Sequence, residues 1–419
     1  MAEVTNYIDR LVAELCPDGV EYRPLGEIAD VTSGYVFPVK YQGNEKSAED
    51  NIPFYKVSDM NLPGNEMFMT SSNNYVSAES AKEMRASLAQ PESIIFPKIG
   101  AAIATNKKRI LTEKSIVDNN VMVVTARSVI NSKFLYYVLT GFDLMSWSMG
   151  AGAVPSIKKS VVVKHEVPVP PLEIQEAIVE ILDKFTNLEA ELEAELEART
   201  LQYEYYRDSL LASFSESAVK FYSIEELFTT RNGYTPSKSN SSYWENGTVP
   251  WFRMEDIREN GGVLSEALQS VHESALKKGG MFPAGSIIVA TSATIGEHAL
   301  INVDFLCNQR FTVLTPKEEF KSLLLPKFLY YYSFVLDRWC LANTTQSSFA
   351  SVDMKRFKKF EFPLPSLEEQ QRIVDILDRF DALTTSLSEG LPAELAARRS
   401  QYEYYRDQLL TFPRKGENQ

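Results

Sequence analysis

A chain of 419 residues, 44% hydrophobic and 24% charged, holds apolar material for two or three ordinary domains and excludes a mainly disordered or collagen-like polymer. Its formal net charge of −13, taken as a whole, argues against a nucleic-acid binder. Three scattered cysteines, Cys16, Cys307 and Cys340, offer neither a disulfide framework nor a paired zinc site and fit a reducing, cytoplasmic setting.

In chain order, residues 1–19 begin with Glu3, Asp9 and Glu14 where a signal peptide needs a basic stretch and then an apolar run. Residues 20–166 mix β-prone runs (Ser93–Phe96, Val121–Thr125) with turns and a short helix around Phe134-Leu135-Tyr136-Tyr137. Residues 172–214 lack Gly and Pro and place Ile178, Leu182, Phe185, Leu188, Leu192 and Leu196 at steps of three and four. That spacing predicts one long amphipathic helix within the segment 167–216. Residues 217–361 return to the mixed pattern, with strands expected at Ser286–Ala290 and Phe311–Thr315. The segment 362–412 opens on Ser366 and Glu369 at capping-box spacing. Gly390 and Pro392 then divide it into two helical pieces, and 413–419 form a tail. No apolar run approaches the roughly 18 residues that span a bilayer.

The chain is internally duplicated. Gln-Tyr-Glu-Tyr-Tyr-Arg-Asp stands at 202–208 and again at 401–407, and 167–188 matches 362–383. Phe-Leu-Tyr-Tyr recurs at 134–137 and 328–331, Pro53–Lys56 pairs with Pro250–Arg253, and Gly34-Tyr35 pairs with Gly233-Tyr234. Their constant order and nearly constant offset establish a repeat. The offset also aligns residues 11–28 with 210–227, so the duplication is cyclic and 1–19 complete it. The expected fold class is α+β: two pseudo-symmetric globular α/β domains (20–166 and 217–361) separated by two long antiparallel, coiled-coil-like helical regions.

Charge by region removes the objection to DNA. The central segment 167–216 carries −9, whereas each globular region carries +1, and 93–165 hold ten basic and three acidic residues. Phosphate contact needs a local basic face rather than a basic protein. Catalytic patterns are missing. His165 and His272 precede glutamates but lack the second histidine of a zinc HExxH helix, and His298 is isolated. Gly150-Ala151-Gly152-Ala153 lacks the Gly-Lys-Ser/Thr ending of a phosphate loop. No metal site is expected.

With the heptapeptide twice, two Pro-Leu-x-x-Gln helix starts and two dissimilar globular halves, the chain resembles the specificity (S) subunit of type I restriction–modification systems over essentially its entire length. The resemblance implies two target-recognition domains, each reading half of a bipartite double-stranded DNA target. It also implies central and distal helical regions that set the spacing and dock two methyltransferase (M) subunits, with restriction (R) subunits joining through the complex. No catalytic residue and no cofactor belong to this chain on that reading; S-adenosylmethionine would sit on the methyltransferase. A self-sufficient restriction or modification enzyme, and a helical scaffold without a DNA role, are the open alternatives.

Polar and basic loop residues are the candidate DNA contacts: Lys56, Ser58, Lys98, Asn106, Lys107, Lys108, Arg109 and Lys158 in the first domain. The second domain offers Arg253, Thr291, Ser292, Arg310, Thr345, Gln346, Ser347 and Lys355. Candidate partner contacts are the helix-start glutamines Gln175 and Gln370 and the two aromatic motifs. These comprise Tyr203, Tyr205, Tyr206, Arg207 and Asp208, then Tyr402, Tyr404, Tyr405, Arg406 and Asp407, because polar aromatics and arginine favour interfaces.

Overall fold

The computed structural model describes residues 2–43, 45–47, 50–149, 154–216, 219–345, 350–385 and 390–416. Gln346, Ser347 and the Gly150–Ala153 stretch lie outside the described residues. The chain divides into two units, residues 1–191 with 395–419, and residues 192–394.

In the first unit a five-stranded sheet has the order Ala29–Ser33, Val121–Ala126, Ile94–Pro97, Arg109–Leu111, Phe68–Met69. Only the last pairing is parallel. Its middle strand is buried on both faces, which is why it reads as an unbroken apolar run instead of an alternation. Ile94 and Phe96 pack with Phe134, Leu135 and Val138 of the helix Ser132–Thr140, while Ile95 packs on the opposite side with Tyr55, Leu111 and Val123. Each such side chain contributes about 1.5–3 kcal/mol on burial. A three-stranded sheet (Tyr75–Ser77, Asp50–Tyr55, Ile116–Val117) adjoins it.

The second unit repeats this topology strand for strand. Its five-stranded order is Phe228–Asn232, Phe311–Pro316, Ser286–Ala290, His298–Ile301, Val263–Leu264, again with only the last pair parallel. The three-stranded sheet is Ser270–Val271, Val249–Phe252, Leu306–Cys307. The duplication visible in the motifs therefore extends through the diverged regions.

Helices follow the sequence pattern. Leu172–Ala212 is one helix of 41 residues, about 62 Å of axial rise, with its first half in the first unit and the rest in the second. The distal segment forms two helices, Leu367–Thr385 and Leu391–Leu409. In the first unit the helices run antiparallel: Phe185 stacks on Tyr405 at 5.6 Å between ring centroids, and Glu189 pairs with Arg399 at 2.6 Å. In the second, Tyr203 and Tyr206 stack on Phe380. The segment after the N-terminal helix Ala2–Leu15 lies beside the chain's last described residues: Val20 N–H donates to Pro413 O and Lys415 N–H to Val20 O.

Gln175 and Gln370 are fully buried and are structural, which corrects their reading as partner contacts. Gln175 Oε1 accepts from Asn131 N–H at 2.7 Å, and its Nε2 donates to Val129 O and Pro170 O. Gln370 repeats the set with Leu325 N–H, Leu323 O and Pro365 O. About two turns further on, Asp183 accepts from Lys133 and Tyr137, and Asp378 from Lys327 and Tyr331. Each helix start is thus bound to its own globular region by one fully buried amide and by a partly exposed lysine–tyrosine–carboxylate cluster.

Gln175→Leu should strand one buried N–H and two carbonyls, at a cost of about 1–3 kcal/mol. Urea unfolding followed by Trp147, the first unit's single tryptophan, should show a lower midpoint. An unchanged midpoint would contradict the structural role.

Candidate nucleic-acid interface

At one end of each five-stranded sheet the backbone is drawn into a fixed arrangement by a glycine. Gly34 N–H donates to Val121 O and Tyr35 N–H to Val117 O; Gly233 and Tyr234 donate to Phe311 O and Cys307 O. A Cβ on Gly34 would lie 2.1 Å from Asp118 O, and one on Gly233 2.2 Å from Asn308 O. Only glycine permits so close a crossing. The crossed turn carries Asp118-Asn119-Asn120 in one unit and Asn308-Gln309-Arg310 in the other.

Further matched bonds extend the frame. Lys98 N–H donates to Asn120 O and Thr291 N–H to Arg310 O; Ile157 and Val352 donate in turn to Lys98 O and Thr291 O. Two short hairpins, Ser148–Met149 with Ser156–Ile157 and Thr344–Thr345 with Ser351–Val352, are seated there. Buried Asp59 caps the Lys56 N–H at 2.7 Å, and buried Asp256 the Arg253 N–H at 2.6 Å. Positions 56/253, 98/291 and 120/310 are therefore equivalent in backbone and different in side chain.

In the second unit this end opens as a groove of about 690 Å³ lined by Thr235, Trp244, Trp251, Arg253, Gln309 and Arg310 among others. The Arg253 guanidinium lies 5.6 Å from the Trp251 ring and 3.9 Å from Glu255. Arg310 is exposed. In the first unit Lys56 donates to Gln42 and sits over Phe37, and Lys98 donates to Ser33 Oγ. Burial lowers the Lys98 pKa below the ordinary lysine range. Cationic and amide groups on a rigid frame, with aromatic walls, suit an anionic polymer bearing flat, hydrogen-bonding edges. Thr235, Gln309, Asn119 and Asn120 escaped the sequence reading; their signal was adjacency to, or shared pairing with, the repeated Gly-Tyr.

The other candidates separate. Ser58, Lys158, Thr345 and Lys355 are exposed; Lys107 is bonded to Asn61, and Ser292 bridges Ser351. Four candidates serve the interior instead. Lys108 is 2% exposed and donates to Asn106 Oδ1, Asn106 O and Phe142 O. Asn106, at φ +54°, also accepts from Leu144 N–H. Arg109 is half-buried and donates to Lys108 O and Met60 O. Thr291 is buried against Thr312, whose hydroxyl donates to Asn232. The basic run at 107–109 reads in sequence as a set of DNA contacts, but the start of strand Arg109–Leu111 turns its middle lysine inward.

Lys108 has an exact counterpart. Ile94 faces Ile110 as Ile287 faces Leu300, so the residue two places earlier is Lys108 in one unit and His298 in the other. His298 Nδ1 lies 2.6 Å from Asp337, and both are buried. Asp143, the counterpart of Asp337, acts electrostatically on Lys108. Each sheet thus keeps one buried basic side chain at this position. His165 packs edge-on to Phe142 and Trp147, and His272 caps a short turn. Among the described residues no group of three or more His, Cys, Asp or Glu could hold a metal ion, and no helix is long and apolar enough to cross a membrane.

The aromatic motifs are divided between core and surface. Tyr203 is buried against Phe380, and Tyr402 packs near Phe185, so these two are not free contact residues. Tyr405 stacks on Phe185. Tyr205 and Tyr404 stand 70% and 59% exposed, and Tyr206 is partly exposed. Arg207 lies over Phe334 at 4.1 Å and bonds Asp208, which also pairs with Arg338. Burial acts to raise the Asp208 carboxyl, but Arg338 and Arg207 prevail and hold it below its ordinary value. Arg406 bonds Asp407 and approaches the Tyr402 ring.

Burial pushes the Lys108 ammonium down to about 8, with Asp143 opposing, against about 10.4 for a free lysine. Between those values the unfolded chain binds more protons, so stability rises with pH across that window. The unfolding free energy of the wild type, relative to Lys108→Met, should therefore grow from pH 8 to pH 10. A pH-independent difference in urea midpoints would contradict this.

The family model for the type I restriction modification DNA specificity domain matches twice, over residues 17–198 and 216–397. The type I restriction enzyme EcoprrI specificity subunit of Escherichia coli is 54% identical over 201 residues, covering 46% of this chain and 50% of that one. The EcoR124I/EcoR124II specificity subunit of Escherichia coli is 41% identical over 268 residues, covering 62% and 64%. The chain thus spans half to just under two thirds of these two relatives. It spans 96% of a putative type I restriction enzyme specificity subunit of Haemophilus influenzae at 27% identity, with 94% of this chain covered. A solved structure, from work on complex assembly and conformational transition of the type I R-M system, has a like fold, with a TM-score of 0.62 at 16% identity over 94% of this chain and 97% of the other. The duplicated chain belongs to the type I restriction–modification DNA specificity family.

Proposed function

We propose that this chain is the DNA-recognition subunit of a type I restriction–modification complex and carries no catalytic chemistry of its own. Each unit reads one half of a bipartite duplex target. The observation that carries the proposal is the pair of sheet ends just described: one backbone frame, held twice by the same hydrogen bonds, bearing different polar side chains. Two readers built this way recognise two different sequences with one docking geometry. The helical motifs point the other way, since they are nearly the same sequence twice. Like surfaces serve like partners, here two methyltransferase subunits, through which restriction subunits join. S-adenosylmethionine and the flipped target base belong to the methyltransferase. The working place is the bacterial cytoplasm.

The helices also act as the spacer in this proposal. Residues 188–199 read Leu-Glu-Ala-Glu, Leu-Glu-Ala-Glu, Leu-Glu-Ala-Arg. Four residues advance a helix by about 6 Å and turn it about 400°, so one unit more or less nearly preserves the apolar stripe.

Methylation mapping of cells carrying this chain with its methyltransferase should give a split target; modification without sequence preference, or turnover by the chain alone, would refute the proposal. Deleting Leu192–Glu195 should shorten the unread spacer by one or two base pairs, since B-DNA rises about 3.4 Å per pair, with both half-sites kept. An unchanged spacer would remove the ruler role.

Tyr205→Ala combined with Tyr404→Ala truncates two exposed rings. Co-purification of the methyltransferase should fall while the melting temperature holds; undiminished recovery would exclude these tyrosines from the interface.

A further inference from the structure

Position 120 of the first unit and position 310 of the second are one place in the fold. Each closes the turn crossed by Gly34 or Gly233, and each offers its carbonyl to the N–H that follows the sheet's middle strand. The side chains differ in kind. Arg310 is exposed on the groove beside Gln309; its N–H is capped by Asn308 Oδ1 at 2.9 Å, so its backbone is fixed while its guanidinium is presented outward. Asn120 donates one amide N–H to Asp118 Oδ2 at 2.8 Å, which orients the amide and leaves Oδ1 and the second N–H for a ligand.

These are the two side chains whose geometry matches purines through the major groove. A guanidinium bonds O6 and N7 of guanine as a pair, and a carboxamide bonds N6 and N7 of adenine. A reader must hold such groups on a backbone that does not yield, because a loosely held side chain discriminates poorly. Both turns satisfy this: the crossing glycine admits no β-carbon, and three strands hydrogen-bond around it. We propose that position 120/310 reads a base directly, Arg310 taking a guanine in the second unit's half-site and Asn120 an adenine in the first unit's. This rests on the proposed function and deepens it, by naming the residue pair and the bases that it selects.

The test uses the full chain with its methyltransferase and selects bound duplexes from a library randomised in both half-sites. Arg310→Asn should move the preference at one position of one half-site from guanine to adenine. Arg310→Ala should abolish preference there, by roughly ten- to a hundred-fold in the guanine ratio, with the other half-site unchanged. Asn120→Arg should make the reverse change in the opposite half-site. A uniform loss of affinity over all sequences with a shallower salt dependence would mark Arg310 as a phosphate contact and overturn the inference, as would unaltered preferences. Those outcomes leave the wild-type split target intact. A wild-type complex without any sequence preference would instead overturn the proposed function and this inference with it.

Discussion

A buried carboxamide at the start of each helical region is the interaction on which the architecture depends. Gln175 and Gln370 each tie three backbone segments together: the turn before the domain's own helix, the proline-rich approach, and the first helical turn. An amide in a dry site is tolerated only with its bonds complete. The geometry is therefore all or nothing, and within each unit the helix cannot rotate against its globular region without stranding a polar group. The Asp183 and Asp378 clusters, about two turns later, repeat the constraint. The same surroundings push Tyr137 and Tyr331 upward in pKa: burial is the main cause in both, and the neighbouring carboxylate adds to it, against an opposing hydrogen bond from Thr186 at Tyr137, so both phenols stay protonated donors.

Much of this was legible in the amino-acid order. The periodicity from Ile178 to Leu196, the Gly390 break and the strands around Ile95 and Val289 all follow patterns with one physical solution. The duplication, read from a handful of motifs, extends to every strand of both sheets. What escaped were roles that depend on direction. Lys108 in a run of three cations carries no local mark of facing inward; that is decided by which residue the strand begins on. Gln175 beside a proline run looks like a surface amide until its partners, some forty-five residues away, are in place. Tyr203 and Tyr205 share a motif but not a face, because two residues turn a helix by about 200°.

The candidate interface was half legible for a related reason. Arg253 and Lys56 were matched by sequence because they follow an aligned strand. Asn120 and Arg310 stand in turns with no residue identical at matching positions, and the hydrogen bonds around Gly34 and Gly233, with those from Lys98 and Thr291, identify them as the same place. Diverged side chains hide an equivalence that the backbone keeps.

The close crossing of Gly34 over its turn, and of Gly233 over the second, also has a bearing on how such a protein can change. Most substitutions in a folded chain carry a stability cost, typically 0.5–3 kcal/mol; exposed side chains such as Gln309 and Arg310, on a turn already clamped by its neighbours, carry little. Variation at these sites is therefore uncoupled from folding, while insertion or deletion in the same turns would move the backbone into the glycine and be lost. Drift is channelled into residue identity and kept out of loop length, so on the proposed reading a lineage would change its target one letter at a time while the frame stays folded.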